Sequence, residues 1–143
     1  MRYPHIRSSP LVLTLALASL GIAGAINTAT VPRMALASTL VVCGVYGVAT
    51  VARELSKPQL AHLSIGLWLV FIAIAGVHAV GLETLAGTLS TPFVAFTTII
   101  WAVTWATLIG ASAGTSFLAF REYGVGSYVA HPEDSVVDGE YEF

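Results

Sequence analysis

Charged residues interrupt this chain only at wide intervals. Between residues 11 and 120 there are five of them (Arg33, Arg53, Glu54, Lys57 and Glu83), leaving uncharged runs at 11–32, 34–52, 58–82 and 84–120. Each run can cross a bilayer, because ~20 helical residues at ~1.5 Å rise span a ~30 Å hydrocarbon core. Backbone amides have no water to bond in lipid, so such runs must be helical. The expectation is an all-α membrane protein of four transmembrane helices, at about 11–31, 34–52, 58–80 and 93–120, in an up-down bundle.

Local signals mark the helix ends. Pro32 closes the first span and suits the first turn of the second. Ser56 followed by Gln59 predicts a capping box, and Thr91 before Pro92 predicts an N-cap with proline at the first helical position. Gly81 can end the third helix in a left-handed conformation. Residues 82–89 read as a short interfacial turn, with Leu82, Leu85 and Leu89 toward lipid. The last run, 93–120, has 28 residues. At ~42 Å it must tilt, kink near residues 110–114, or extend past the membrane. Gly124, Gly126 and Pro132 then predict an end to helix, dividing the chain into a membrane domain (1–121) and a flexible acidic tail (122–143).

Composition agrees with this division. The chain is 56% hydrophobic and 10% charged, against about 25% charged in an average soluble domain. Of eight acids, Glu122, Glu133, Asp134, Asp138, Glu140 and Glu142 lie in the last 22 residues, a distribution that repels nucleic acid and anionic lipid headgroups. Lys57 is the sole lysine, and an acid-rich tail with scarce lysine is also the composition of halophilic proteins. Arg2 and Arg7 ahead of an apolar stretch, with Ala23, Gly24 and Ala25 beyond it, mimic a secretory signal. The apolar run continues past Ala25, so a retained first helix is expected.

Basic residues orient the spans. Four crossings place Arg2, Arg7, Arg53, Lys57 and Arg121 on one side and Arg33 alone on the other. The positive-inside rule then puts both termini in the cytoplasm, with the plasma membrane as the location.

Two rows of small residues predict close helix packing: Ala102, Ala106, Gly110 and Gly114 on the fourth span, and Ala35, Thr39, Cys43 and Gly47 on the second. They serve either the protomer's own bundle or a neighbouring subunit, and they bring contact between the second and fourth spans into view. Trp68, Trp101 and Trp105 all fall near the bilayer midplane, where an indole N–H needs an acceptor. They are either packing residues or a wall for a flat ligand such as a quinone or haem. His62 and His78 are 16 residues apart on one helix, about 24 Å along the axis, and cannot share one metal. His78 and Met34 fall at the same outer depth and form the one candidate haem-ligand pair.

No span contains Asp, Glu, Lys or Arg, the usual carriers of transport chemistry. The last span offers Thr97, Thr98, Thr104, Thr107, Ser112, Thr115 and Ser116, hydroxyls that ordinarily bond back to their own helix. No catalytic motif, paired intramembrane aspartates or metal-ligand spacing is present. The functional expectation is a non-catalytic membrane protein, in contact with lipid and with other membrane subunits or copies of itself. The alternatives are an oligomeric channel or carrier for a small solute, and an electron-transfer or quinone- or haem-binding subunit.

Overall fold

The computed structural model describes residues 9–27, 30–88 and 92–126. The Thr91 cap, Leu89, Arg2, Arg7, His5, His131 and the tail beyond residue 126 lie outside the described residues. Five helices account for almost everything that is described: α1 (Ser9–Ile26), α2 (Val31–Glu54), α3 (Lys57–Val80), the short α4 (Leu82–Thr88) and α5 (Phe93–Gly126). Helices α2, α3 and α5 are long and apolar enough to cross a membrane. Helix α1 is apolar but shorter, at 18 residues, or about 27 Å.

Several ends follow the local chemistry. Ser56 caps α3: the Gln59 amide donates to its Oγ at 3.4 Å, and the Ser56 amide donates to Gln59 Oε1 at 3.0 Å. Gly81 terminates α3 at φ +102°, a conformation that glycine alone adopts cheaply. The segment read as a turn after it coils into the seven residues of α4.

Two boundaries differ from expectation. The first helix stops at Ile26 rather than reaching residue 31, and Pro32 serves only the first turn of α2, after Thr30 in extended backbone. Thr30 takes the extended N-cap conformation at φ −97°, ψ 131°, and Pro32, with no amide hydrogen to leave unpaired, sits in the first turn that follows. The last helix does not stop at Phe120. It continues through Gly124 to Gly126, making 34 residues and about 51 Å. Glycine weakens a helix by only about 1 kcal/mol, and here Arg121 and Glu122 are both anchored to neighbouring elements.

Directions alternate along the chain, and α5 is the hub. It packs on α1, α2, α3 and α4, whereas α3 packs mainly on α5 and, less, on α4. The tightest contacts lie among α1, α2 and α5, around Ala16, Leu20 and Val48. Leu20 is 0% exposed. A Cβ on Gly44 would sit 2.6 Å from the Leu20 side chain, and one on Gly47 would sit 2.7 Å from the Ala16 Cβ. On the other face of α1, Gly21 lies against the Ala102 carbonyl, and Gly24 is filled by the Trp105 side chain. Ser19 adds a polar link, its Oγ donating to the Leu40 carbonyl at 2.8 Å.

The exterior is apolar. Leu11, Leu15, Ile22, Val42, Ile65, Leu69, Ile72, Val94 and Ile99 are all exposed, on every long helix. The hydroxyls of α5 make no polar stripe: Thr97, Thr98, Thr104, Thr107, Ser112, Thr115 and Ser116 each donate to a carbonyl three or four residues back. This removes the donor from competition with the surroundings.

The Gly24 contact is testable. Gly24→Val forces Trp105 from its seat and is expected to cost about 1–3 kcal/mol. The matched change Gly66→Val, at a position with nothing within 4 Å, is expected to be nearly silent. Thermal unfolding of the detergent-solubilised variants, followed by tryptophan fluorescence, checks both.

Candidate functional site

Polar side chains inside the bundle concentrate on the seam between α3 and α5. Helix α3 turns Leu60, Ser64, Trp68, Ile74 and His78 toward that seam or its margins, at helical spacing. Helix α5 meets them with Gly114, Thr115, Thr104 and Trp101.

At one end of the seam, His78 Nε2 lies 3.1 Å from Thr104 Oγ1, which itself donates to the Ile100 carbonyl at 2.7 Å. A hydroxyl has one proton, and with this one directed to Ile100 the Thr104 oxygen is left to accept from the His78 ring. Trp101 stands edge-on to the imidazole, ring centres 5.5 Å apart at 65°. Farther along the seam, the Trp68 indole donates to Thr115 Oγ1 at 3.1 Å, and Thr115 donates onward to the Ala111 carbonyl at 2.8 Å. In both links a threonine hands its proton to its own helix and presents a lone pair to a ring on α3.

Ser64 breaks the rule followed by the other hydroxyls. It is 4% exposed, and its Oγ has no hydrogen-bond partner among the described residues. The missing Cβ of Gly114 would sit 2.6 Å from that oxygen, so the Ser64 hydroxyl is packed onto the bare α-carbon of α5. Polarised C–H groups give such an oxygen weak compensation.

A second feature lies on the far side of α5. A groove of about 480 Å³ opens between α1, α2 and α5, lined by Ala23, Gly24, Met34, Val41, Trp105 and Ile109, with Asn27 and Ser38 also on its wall. A neighbouring groove of about 370 Å³ is bounded by Trp101, Trp105, Gly24, Ala25, Asn27, Thr97 and Thr98. Trp105 thus separates two recesses. Met34 lines the first of these, and His78 lies on the α3–α5 seam. Among the described residues no three His, Cys, Asp or Glu side chains converge on a point.

The small-residue rows separate in space. Ala102 faces Gly21, Gly110 faces Leu17, and Gly114 faces Ser64 on α3; Ala106 packs beside the central cluster. On α2, Gly47 meets Ala16, whereas Ala35, Thr39 and Cys43 are exposed. The residues of α2 that face α1 instead include Leu40, Gly44 and Val48.

The end of the bundle where α2 finishes carries a clamp that the linear pattern does not announce. Arg121 on α5 donates through Nη1 to the carbonyls of Ala52 (3.1 Å) and Leu55 (2.7 Å). These belong to the C-terminal end of α2, where orphan carbonyls and the helix dipole favour a cation. Lys57 pairs with Glu122 at 3.3 Å across the same end. The signal available in sequence was a basic residue just past the last apolar run; its acceptors, 66 and 69 positions away, were not readable.

No known family, curated protein or solved structure matches the chain.

The indole link gives a measurable outcome. Thr115→Val keeps the shape but deprives Trp68 of its acceptor, and is expected to lower stability by about 0.6–2 kcal/mol. Thr98→Val, whose hydroxyl bonds only to the Val94 carbonyl, is expected to be neutral in the same unfolding assay.

Proposed function

We propose that this chain is a four-span membrane protein with both termini in the cytoplasm, working without catalysis as a subunit of a larger plasma-membrane assembly or as a homo-oligomer. The fourth crossing is α1: its ~27 Å length approaches a hydrocarbon core, and its outward residues Leu11, Leu15 and Ile22 are as apolar as those of its neighbours. Orientation follows from the clustering of Arg53, Lys57 and Arg121 at one end, with Arg33 at the opposite end of α2.

One observation carries the assembly reading. Small α2 positions are consumed by α1 on one face, yet Ala35, Thr39 and Cys43 continue a second small-residue face that no helix covers among the described residues. Lipid gives little reward for such a face, while another helix can approach it closely. The channel reading is less well supported, since the α5 hydroxyls are directed to their own carbonyls.

A second reading rests on a separate observation. Neither the Trp101 nor the Trp105 indole N–H has a hydrogen-bond partner among the described residues, and both rings line a recess beside Gly24 and Asn27. That is a suitable bed for a flat, weakly polar ligand such as a quinone.

Cys43→Leu is expected to shift the detergent-solubilised assembly toward the 15.0 kDa protomer in light scattering, while Gly110→Leu should unfold the protomer itself. Oxidative cross-linking through Cys43 separates self-association, which gives a covalent dimer, from a heterologous partner. A wild-type chain that is already monomeric after gentle extraction from native membrane refutes the assembly. Tags on the two ends should be reached from the cytoplasmic side alone. For the second reading, a soluble quinone analogue is expected to quench tryptophan fluorescence saturably, with the effect lost in Trp105→Leu.

A further inference from the structure

We infer that the pocket between the inner ends of α2 and α5 binds the phosphodiester of an anionic membrane lipid. The inference rests on the membrane reading above, which sets this pocket at the cytoplasmic headgroup level. The recess measures about 350 Å³ and is lined by Ala49, Ala52, Arg53, Phe117 and Arg121. Two guanidinium groups therefore share a small space whose remaining walls are apolar.

The charges around it are unbalanced. Glu122, the acid next to Arg121, is engaged with Lys57 at 3.3 Å. Glu54 does not line the pocket. Arg53 is exposed and makes no ion pair among the described residues. The partial negative charge at the α2 C-terminus offsets part of one guanidinium, about half an elementary charge, and leaves a clear positive excess.

Arg121 is already held in place for this task. Both protons of its Nη1 are directed to the Ala52 and Leu55 carbonyls. Its Nε–H and the two Nη2–H donors remain, and Nε with Nη2 forms the edge that grips an oxyanion with two parallel hydrogen bonds. A guanidinium fixed by the fold loses less freedom on binding than one on a mobile stem. Arg53 supplies a second fork from α2. A phosphodiester has two unesterified oxygens to receive these forks and a glycerol end to lie against Phe117, while Ala49 and Ala52 leave the room. Free inorganic phosphate matches the guanidinium groups but gains nothing from the apolar wall, and this favours the lipid as the source. Basic pockets between helices at the cytoplasmic face are a known arrangement for lipid headgroups.

The test uses the full chain in a neutral detergent, with bound lipid counted by native mass spectrometry. Phosphatidylglycerol should be retained at concentrations where phosphatidylcholine is not. Arg53→Gln is the informative variant because Arg53 supports no other contact among the described residues; it should weaken phosphatidylglycerol binding about five- to tenfold. Arg53→Lys should restore part of that loss, and Arg33→Gln, at the opposite end of α2, should leave binding unchanged. Equal retention of the two lipids, or an Arg53→Gln variant that binds like wild type, overturns the site. Displacement of the lipid by millimolar inorganic phosphate overturns the lipid as its source. Failure of the membrane reading would register separately, as protein recovered in solution without detergent.

Discussion

Helices surrounded by hydrocarbon gain little by hiding apolar side chains, because the tails outside are as apolar as leucine. What remains to hold them is close contact and hydrogen bonding, and both need backbones to come near one another. In this protein that approach depends on absent side chains. Gly44 and Gly47 seat Leu20 and Ala16, Gly21 admits the Ala102 carbonyl, Gly24 admits Trp105, and Gly110 admits Leu17. Remove these clefts and α1, α2 and α5 separate to ordinary side-chain distance, where few contacts and no Ser19–Leu40 bond survive.

Helix α5 occupies the centre because it offers small residues on more than one face. It meets α1 through Ala102 and Gly110, and α3 through Gly114. Helix α3 is held differently. It has one large partner instead of two, and its fixings are polar: His78 to Thr104 and Trp68 to Thr115. Rings that would carry unpaired N–H groups in lipid are bonded instead to threonines whose protons are already committed. The same bonds therefore satisfy a donor and fix the rotation of α3 against α5, something that greasy packing alone specifies poorly.

The two ends of the bundle have distinct characters. At one end the recesses around Trp101 and Trp105 are broad and lined by apolar and weakly polar groups. At the other Arg121 ties α5 to the last carbonyls of α2, and Lys57 ties the start of α3 to Glu122. These contacts join three long helices at one level and gather charge there. An exposed row on α2, aromatic recesses at one end and two neighbouring guanidinium groups at the other are three distinct features of the described surface.

Some of this could be read from residue order because it depends on neighbours a few positions apart. The Ser56–Gln59 capping box, the proline in the first turn of α2 and the turn at Gly81 are local devices. So is the helical state of the long uncharged runs, which follows from backbone hydrogen bonding wherever water is missing. The retreat of α1 to Ile26 and the persistence of α5 to Gly126 were less legible, since helix ends yield to whatever anchors lie nearby. Periodicity found small-residue rows on α2 and α5 but could not rank the faces of α2. Residues three and four apart share one side of a helix, so the row through Cys43 and the one through Gly44 look alike, and in the fold α1 takes Gly44 together with Gly47 while Ala35, Thr39 and Cys43 stay exposed. The packing of Ser64 on Gly114 and the reach of Arg121 to Ala52 and Leu55 join positions far apart in the chain. Their geometry exists only once α5 lies between α1 and α3, because no rule of spacing along one helix determines which neighbour it will touch.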